Sequence, residues 1–204
     1  MSPGPDGQRC VVLTVDQRDS RRRPDAVGPV LERLATVPAL LGFQRTAGDE
    51  FQGVLDDAAA LPPVLELLLR EGHWHVGLGL GLVETPLPTE AREARGSAFV
   101  AAREAVSSTR TAPWQLRVAG ETPTARHLES VCWLWAAVLG RRTAKGWEVA
   151  DLVDEGLSYE ATGRRLGITQ SAVSQRAAAA GLVEARRARE LVAVLAGQWL
   201  RTGG

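Results

Sequence analysis

Between His75 and Val83 the chain reads His-Val-Gly-Leu-Gly-Leu-Gly-Leu-Val. Strict alternation at a period of two marks a β-strand, with Leu78, Leu80 and Leu82 on one face and Gly77, Gly79 and Gly81 on the other. Glycine weakens a strand and leaves nothing to pack with. Three of them on one face therefore predict that a ligand or a neighbouring backbone approaches closely there.

The other elements follow from periodicity and turn residues. Cys10–Val15 is a valine-rich strand that ends at Asp16, and Val27–Val37 has apolar residues at helical spacing. Leu40–Thr46 and Phe51–Leu55 are two strands joined by the hairpin Ala47-Gly48-Asp49-Glu50. Ala58–Arg70 is an apolar helix whose prolines fit only its first turn. After the glycine-rich strand come a loop at Pro86–Arg95, a helix over Gly96–Thr109 and a short strand at Trp114–Val118. The order β-α-β-β-α-β, then α-β, predicts an α+β chain. It begins with a ferredoxin-like, antiparallel sheet domain over residues 10–119, after nine polar residues expected to be disordered. Residues 120–141 read as a linker and connecting helix, and 142–204 as an all-helical domain.

Charge divides the chain at the same place. The 204 residues carry no net charge, but residues 1–140 have 14 arginines against 17 acidic residues, and residues 141–204 have ten basic against seven acidic residues. The positive excess lies in the helical part, as a nucleic-acid footprint requires. Two cysteines and three histidines have no metal-ligand spacing, and both thiols are expected to be buried in a reducing compartment. Met1–Arg9 lacks the character of a signal peptide and prolines and glycines break the longest apolar stretch, so a cytoplasmic protein with no membrane partner is expected.

In the helical part, Thr143 caps a helix that Gly156 stops, Ser158 caps Tyr159–Leu166, Gly167 makes a tight turn, and Thr169 caps Gln170–Ala180. A short helix, a glycine turn and a second capped helix predict a helix-turn-helix for double-stranded DNA. Val173, Ala177 and Ala180 face its core, leaving Gln170, Ser171, Ser174 and Gln175 beside Thr169 on the outer face to read base edges. Arg164, Arg165 and Arg176 are placed to hold phosphates, with Arg186, Arg187 and Arg189 extending the basic surface. Gly163 interrupts the first helix at a cost of about 1 kcal/mol relative to alanine. Gly156-Leu157-Ser158, Leu166-Gly167-Ile168-Thr169 and Val173-Ser174-Gln175-Arg176 resemble the helix-turn-helix of LuxR-type regulators and of the promoter-reading region of sigma factors. The final helix, Leu182–Leu200, has two readings: it covers the core, or, as the resemblance implies, it pairs two subunits.

In the sheet domain, Asp16 ends a strand and Asp49 and Glu50 sit in a hairpin expected to lie beside it. Carboxylates so placed can hold Mg²⁺, and Mg²⁺ can hold a triphosphate, with the arginines near Asp16 meeting the phosphates. Ala47-Gly48-Asp49-Glu50-Phe51 differs from the GGDEF motif of diguanylate cyclases only in its first glycine. Gly96–Arg103 resembles the nucleotidyl cyclase helix that ends in a transition-state arginine, which implies that role for Arg103. Asp16 with Ser20-Arg21, together with Gly48-Asp49-Glu50-Phe51-Gln52, resembles the SatD family, which joins such a palm domain to a helix-turn-helix. The resemblance implies Asp16, Asp49 and Glu50 as metal ligands and Arg18, Ser20, Arg21 and Arg103 as contacts to a nucleotide. Phe99 stands where the cyclase helix has asparagine, no lysine is available to read a base, and Gln17, Arg18 and Asp19 replace apolar residues. These departures favour a homodimeric DNA-binding regulator that senses a nucleotide with Mg²⁺ without converting it. The alternatives are an active Mg²⁺-dependent cyclase or phosphoryl-transfer enzyme tethered to DNA, and a scaffold that dimerises through Ala58–Arg70.

Overall fold

The structure is a computed structural model and describes residues 7–201. Its first part runs β1 (Gly7–Gln17), α1 (Val27–Leu34), β2 (Leu41–Ala47), β3 (Glu50–Leu55), α2 (Leu61–Glu71), β4 (Trp74–Glu84), α3 (Ser97–Ser107) and β5 (Leu116–Ala119). Five helices follow: α4 (Pro123–Leu139), α5 (Ala144–Asp154), α6 (Tyr159–Leu166), α7 (Gln170–Ala179) and α8 (Leu182–Arg201). The protein is thus α+β. The disorder expected for residues 1–9 falls partly on residues 1–6, outside the described residues. Gly7–Arg9 are strand, because β1 pairs with β4 along its whole length.

The sheet order is β2-β3-β1-β4-β5. β1 is antiparallel to β3 and β4, and β2 is antiparallel to β3. The sheet is mixed rather than antiparallel throughout, since β5 runs parallel to β4. The cause is the connection: α3 crosses from the end of β4 back to its start, so the chain re-enters the sheet in the same direction. β5 begins at Leu116, two residues later than expected, because Trp114 and Gln115 have left-handed backbones, with φ of 57° and 50°.

Alternation along the strands builds two cores. Val11, Leu13 and Val15 of β1 point to the same side as Leu78 and Leu80 of β4, and α1, α2, α4 and α8 pack over them. Cys10 and Val12 point the other way and meet Val54, Val83 and the alanines of α3. On that second side the bare face of β4 meets its neighbour. A Cβ on Gly79 would lie 2.1 Å from the Ala98 carbonyl oxygen, one on Gly81 2.3 Å from the Ala98 nitrogen, and one on Gly77 2.4 Å from the Val106 nitrogen. The neighbour foretold by the glycines is therefore the backbone of α3, whose Ala98 and Ala102 are fully buried.

A smaller core joins α5, α7 and the start of α8 through Val149, Ala150, Val173, Ala177 and Leu182. α8 then continues into the large core with Ala185, Val192, Ala196 and Trp199, and the Trp199 indole donates to the Cys10 carbonyl at 3.0 Å. Its Val183, Leu191 and Val194 stay exposed. Arg70 of α2 makes a two-pronged contact with Asp151 of α5 at 2.7 and 2.8 Å, and Arg70 and Arg142 both lie over the Trp147 ring. Both cysteines are buried thiols. No helix among the described residues is long and apolar enough to cross a membrane.

The contact between β4 and α3 can be tested directly. Gly79→Ala forces backbone apart and is expected to lower stability by roughly 3 kcal/mol in urea unfolding. Gly42→Ala on β2, where a Cβ meets open space, is expected to stay within about 0.5 kcal/mol of the parent. Equal effects would remove the close-approach argument.

Candidate functional site

The register of the sheet brings three chemistry-bearing side chains into one row. Asp16 stands opposite Glu50 on one side and His75 on the other, so all three share the face that α3 covers. One row deeper, buried Gln52 donates to Thr14 Oγ1 at 3.0 Å and closes the floor with polar groups satisfied. Beyond it the face is apolar. Asp49, in the β2–β3 turn, has its carbonyl held by the Gln17 N–H at 3.0 Å, which ties the hairpin to the end of β1.

The Asp16 carboxyl lies close to that of Asp49 and is pushed up to about 6. Burial is the main cause, followed by the charges of Asp49 and Glu50; Arg110 pulls the other way. Two carboxyl groups this close disfavour each other's ionised form. Glu50 is differently placed. Arg103 forks onto its carboxylate at 2.9 and 3.2 Å, and Thr46 Oγ1 donates to it at 2.7 Å. The expected ligand trio thus divides into a pair, Asp16 and Asp49, and an ion pair, Glu50 with Arg103. Among the described residues, no group of three or more His, Cys, Asp or Glu side chains is arranged to hold a metal. A pair of hard oxygen donors still fits Mg²⁺, which commonly takes one or two carboxylates and completes its shell with water and phosphate oxygens.

Two clefts open from this pair. One, of about 680 Å³, is lined by Thr46, Gln52, Arg92 and Arg103 on its far wall. The other, of about 700 Å³, lies on the opposite side beneath the β1–α1 loop. Arg18, Ser20 and Arg21 line this second cleft, whereas Arg103 lies in the first. The four residues assigned to the nucleotide therefore do not converge on one wall.

The second cleft also holds residues that sequence reasoning missed: His75, Arg110 and Gln115. Thr109 Oγ1 donates its one hydrogen to the Val106 carbonyl at 2.7 Å, so at 3.0 Å it accepts from His75 Nδ1. His75 is then the Nδ1–H tautomer with a bare Nε2. Burial, then Arg18 and Arg110, push its pKa below the ordinary imidazole value. No motif pointed to these residues. The alternation in β4 did put His75 on the glycine face, but only the β1–β4 register sets it beside Asp16.

At the other end of the molecule the three caps form as expected: Thr143, Ser158 and Thr169 hydroxyls accept from Gly146, Ala161 and Ala172 N–H at 3.2, 3.2 and 3.1 Å. Gly167 turns the chain between α6 and α7 with φ of 66°. Val173, Ala177 and Ala180 are buried, while Thr169, Gln170, Ser171, Ser174 and Gln175 are exposed, as are Arg164 and Arg165; Arg176 is half-buried. Arg164 is paired with Glu160. Arg189 does not extend the basic surface, since it turns inward to Glu66 and Asp154. Gly163 is more than a weak point in a helix. A Cβ there would lie 2.7 Å from the Ile168 carbonyl oxygen, so its absence lets α6 and the start of α7 approach.

No family model, curated protein or solved structure matches this chain.

The raised Asp16 pKa has a definite sign. Ionised Asp16 strains the folded state above about pH 6, and the strain fades as pH falls through that value. Asp16→Asn mimics the protonated acid. At pH 8 it is expected to be more stable than the parent by about 1 kcal/mol after allowance for solvent screening at this half-exposed site, or roughly 2–4 °C in Tm. The difference should vanish by pH 4, and millimolar Mg²⁺ should raise the parent's Tm at pH 8 but not the variant's.

Proposed function

We propose that the protein is a DNA-binding transcription regulator whose sheet domain senses a nucleotide held with Mg²⁺. In this reading α5–α7 form a helix-turn-helix and α7 enters the major groove. The observation that carries it is the outer face of α7. Gln170, Ser171, Ser174 and Gln175 are exposed there, and α7 contains no acidic residue to repel phosphate. Such side chains both donate and accept, as base edges require. The exposed guanidinium of Arg165 and the half-buried one of Arg176 flank the face and suit phosphates.

The order β2-β3-β1-β4 is that of a ferredoxin-like fold, which supports the palm reading and the likeness to nucleotidyl cyclases and the SatD family. The closeness of the Asp16 and Asp49 carboxyls supports Mg²⁺ there: the two would hold the ion, which would supply positive charge for phosphates. Val183, Leu191 and Val194, exposed along one side of α8, favour its pairing with a second copy. Leu61, Val64, Leu65 and Leu68 of α2 pack within the chain, which favours the regulator over a scaffold that dimerises through this helix.

A second reading, a Mg²⁺-dependent cyclase or other phosphoryl-transfer enzyme, draws on the same carboxylate pair. It requires Arg103 to leave Glu50. Product formed from a nucleoside triphosphate with Mg²⁺ or Mn²⁺, and abolished in Asp49→Asn, would establish it.

The regulator reading is tested by selecting bound sequences from random DNA and measuring their retardation. Gln175→Ala should change preference at one base pair by roughly 1–3 kcal/mol. Arg165→Ala should weaken all sequences alike and lower the salt slope by about one. Binding with no sequence preference in the parent would sink the claim.

A further inference from the structure

We propose that Arg110, together with Arg18, grips a diphosphate or triphosphate chain in the cleft beneath the β1–α1 loop. The proposal rests on the reading of Asp16 and Asp49 as a Mg²⁺-nucleotide site and deepens it by saying which side of the pair the phosphates occupy. Residues remote in sequence build this cleft: the loop after β1, His75 at the start of β4, and the turns between α3 and β5. Four arginines, Arg18, Arg21, Arg22 and Arg110, face three aspartates in it. A divalent cation on Asp16 and Asp49 turns that balance strongly positive, the charge a phosphate chain needs.

Arg18 is held ready. One of its guanidinium nitrogens donates to the Gly72 carbonyl at 3.1 Å and to Gln115 Oε1 at 3.0 Å. Gln115 reaches it from a left-handed backbone. Asp19 and Gln115, two of the three non-glycine residues with positive φ among those described, both line this cleft. Backbone strain concentrated at one place is a mark of a functional constraint.

Arg110 and Arg103 differ in what they hold. Arg103 spends its fork on Glu50, so its charge is neutralised within the chain. Arg110 is exposed, and no hydrogen bond or ion pair engages its guanidinium among the described residues. It lines the same cleft as Asp16 and Asp49. A guanidinium with a free fork beside a cation-binding carboxylate pair suits a phosphate that bridges both.

The test is calorimetric titration of the full chain with Mg²⁺ plus ATP, GTP or inorganic tripolyphosphate. Arg110→Ala should weaken both tripolyphosphate and the bound nucleotide roughly tenfold to a hundredfold. Arg110→Lys should fall between, keeping the charge without the fork. Arg126→Ala, an exposed change on α4, should bind like the parent. Nucleotide binding that Arg110→Ala leaves unchanged overturns the proposal while the nucleotide reading stands. Tripolyphosphate binding lost in Arg110→Ala, with neither nucleotide bound by the parent, upholds the phosphate cleft and removes the nucleotide reading. A parent that binds none of the three overturns both.

Discussion

The direct seating of the α3 backbone on the glycine face of β4 fixes most of what is distinctive about this chain. Without side chains between them, helix and strand approach to a distance that a single methyl would forbid. That approach seals the middle of the sheet face and leaves its upper row open, where Glu50, Asp16 and His75 stand side by side. It also sets what α3 can reach. Arg103, on its outer side, meets Glu50 across the face. The turn beyond its C-terminus carries Thr109 and Arg110 to the other side of Asp16. One contact thus divides the carboxylate row between two clefts.

The second organising contact is the seam between the sheet domain and the helices beyond it. α8 starts in the small core with Leu182 and ends in the large one with Trp199. Beside it, Arg70, Asp151, Trp147 and Arg142 interlock α2 with α5, and Arg189 ties Glu66 to Asp154. The Arg142 side chain is only 3% exposed, so its charge depends on Glu66 and on the Trp147 ring rather than on water. Breaking one partner of such a cluster costs far more than an exposed ion pair would. α5 and α7 are therefore carried by the sheet domain through packed side chains, with no loose tether between them.

Local rules read much of this from sequence. The alternation in β4 gave the strand and its bare face; Thr143, Ser158 and Thr169 gave the starts of three helices; Asp16 and Asp49 came together as expected. Contacts between distant segments were not legible, because periodicity carries no register. His75 lies 59 positions beyond Asp16 in the sequence, and only strand pairing makes them neighbours. The direction of β5 depended on the α3 crossover. Left-handed Trp114 obeys a tertiary demand: its ring lies against Gly140, where a Cβ would come within 2.6 Å of it. The Glu50–Arg103 pair escaped for a different reason. Each residue matched a motif with its own task, and motif reading treats residues singly, whereas opposite charges across one face pair with each other first.

That pairing bears on what the sheet domain does. A transition-state arginine must be free when charge develops on the reacting phosphate. Arg103 already has a carboxylate partner, and releasing it would leave Glu50, only 14% exposed in its side chain, without its main counter-charge. Binding makes no such demand. Arg18 is fixed by neutral partners and Arg110 has none to give up, so an anion entering their cleft breaks no ion pair of either. Under the proposed reading, such a domain holds a nucleotide more readily than it converts one, because capture breaks no ion pair while Arg103 is engaged by Glu50.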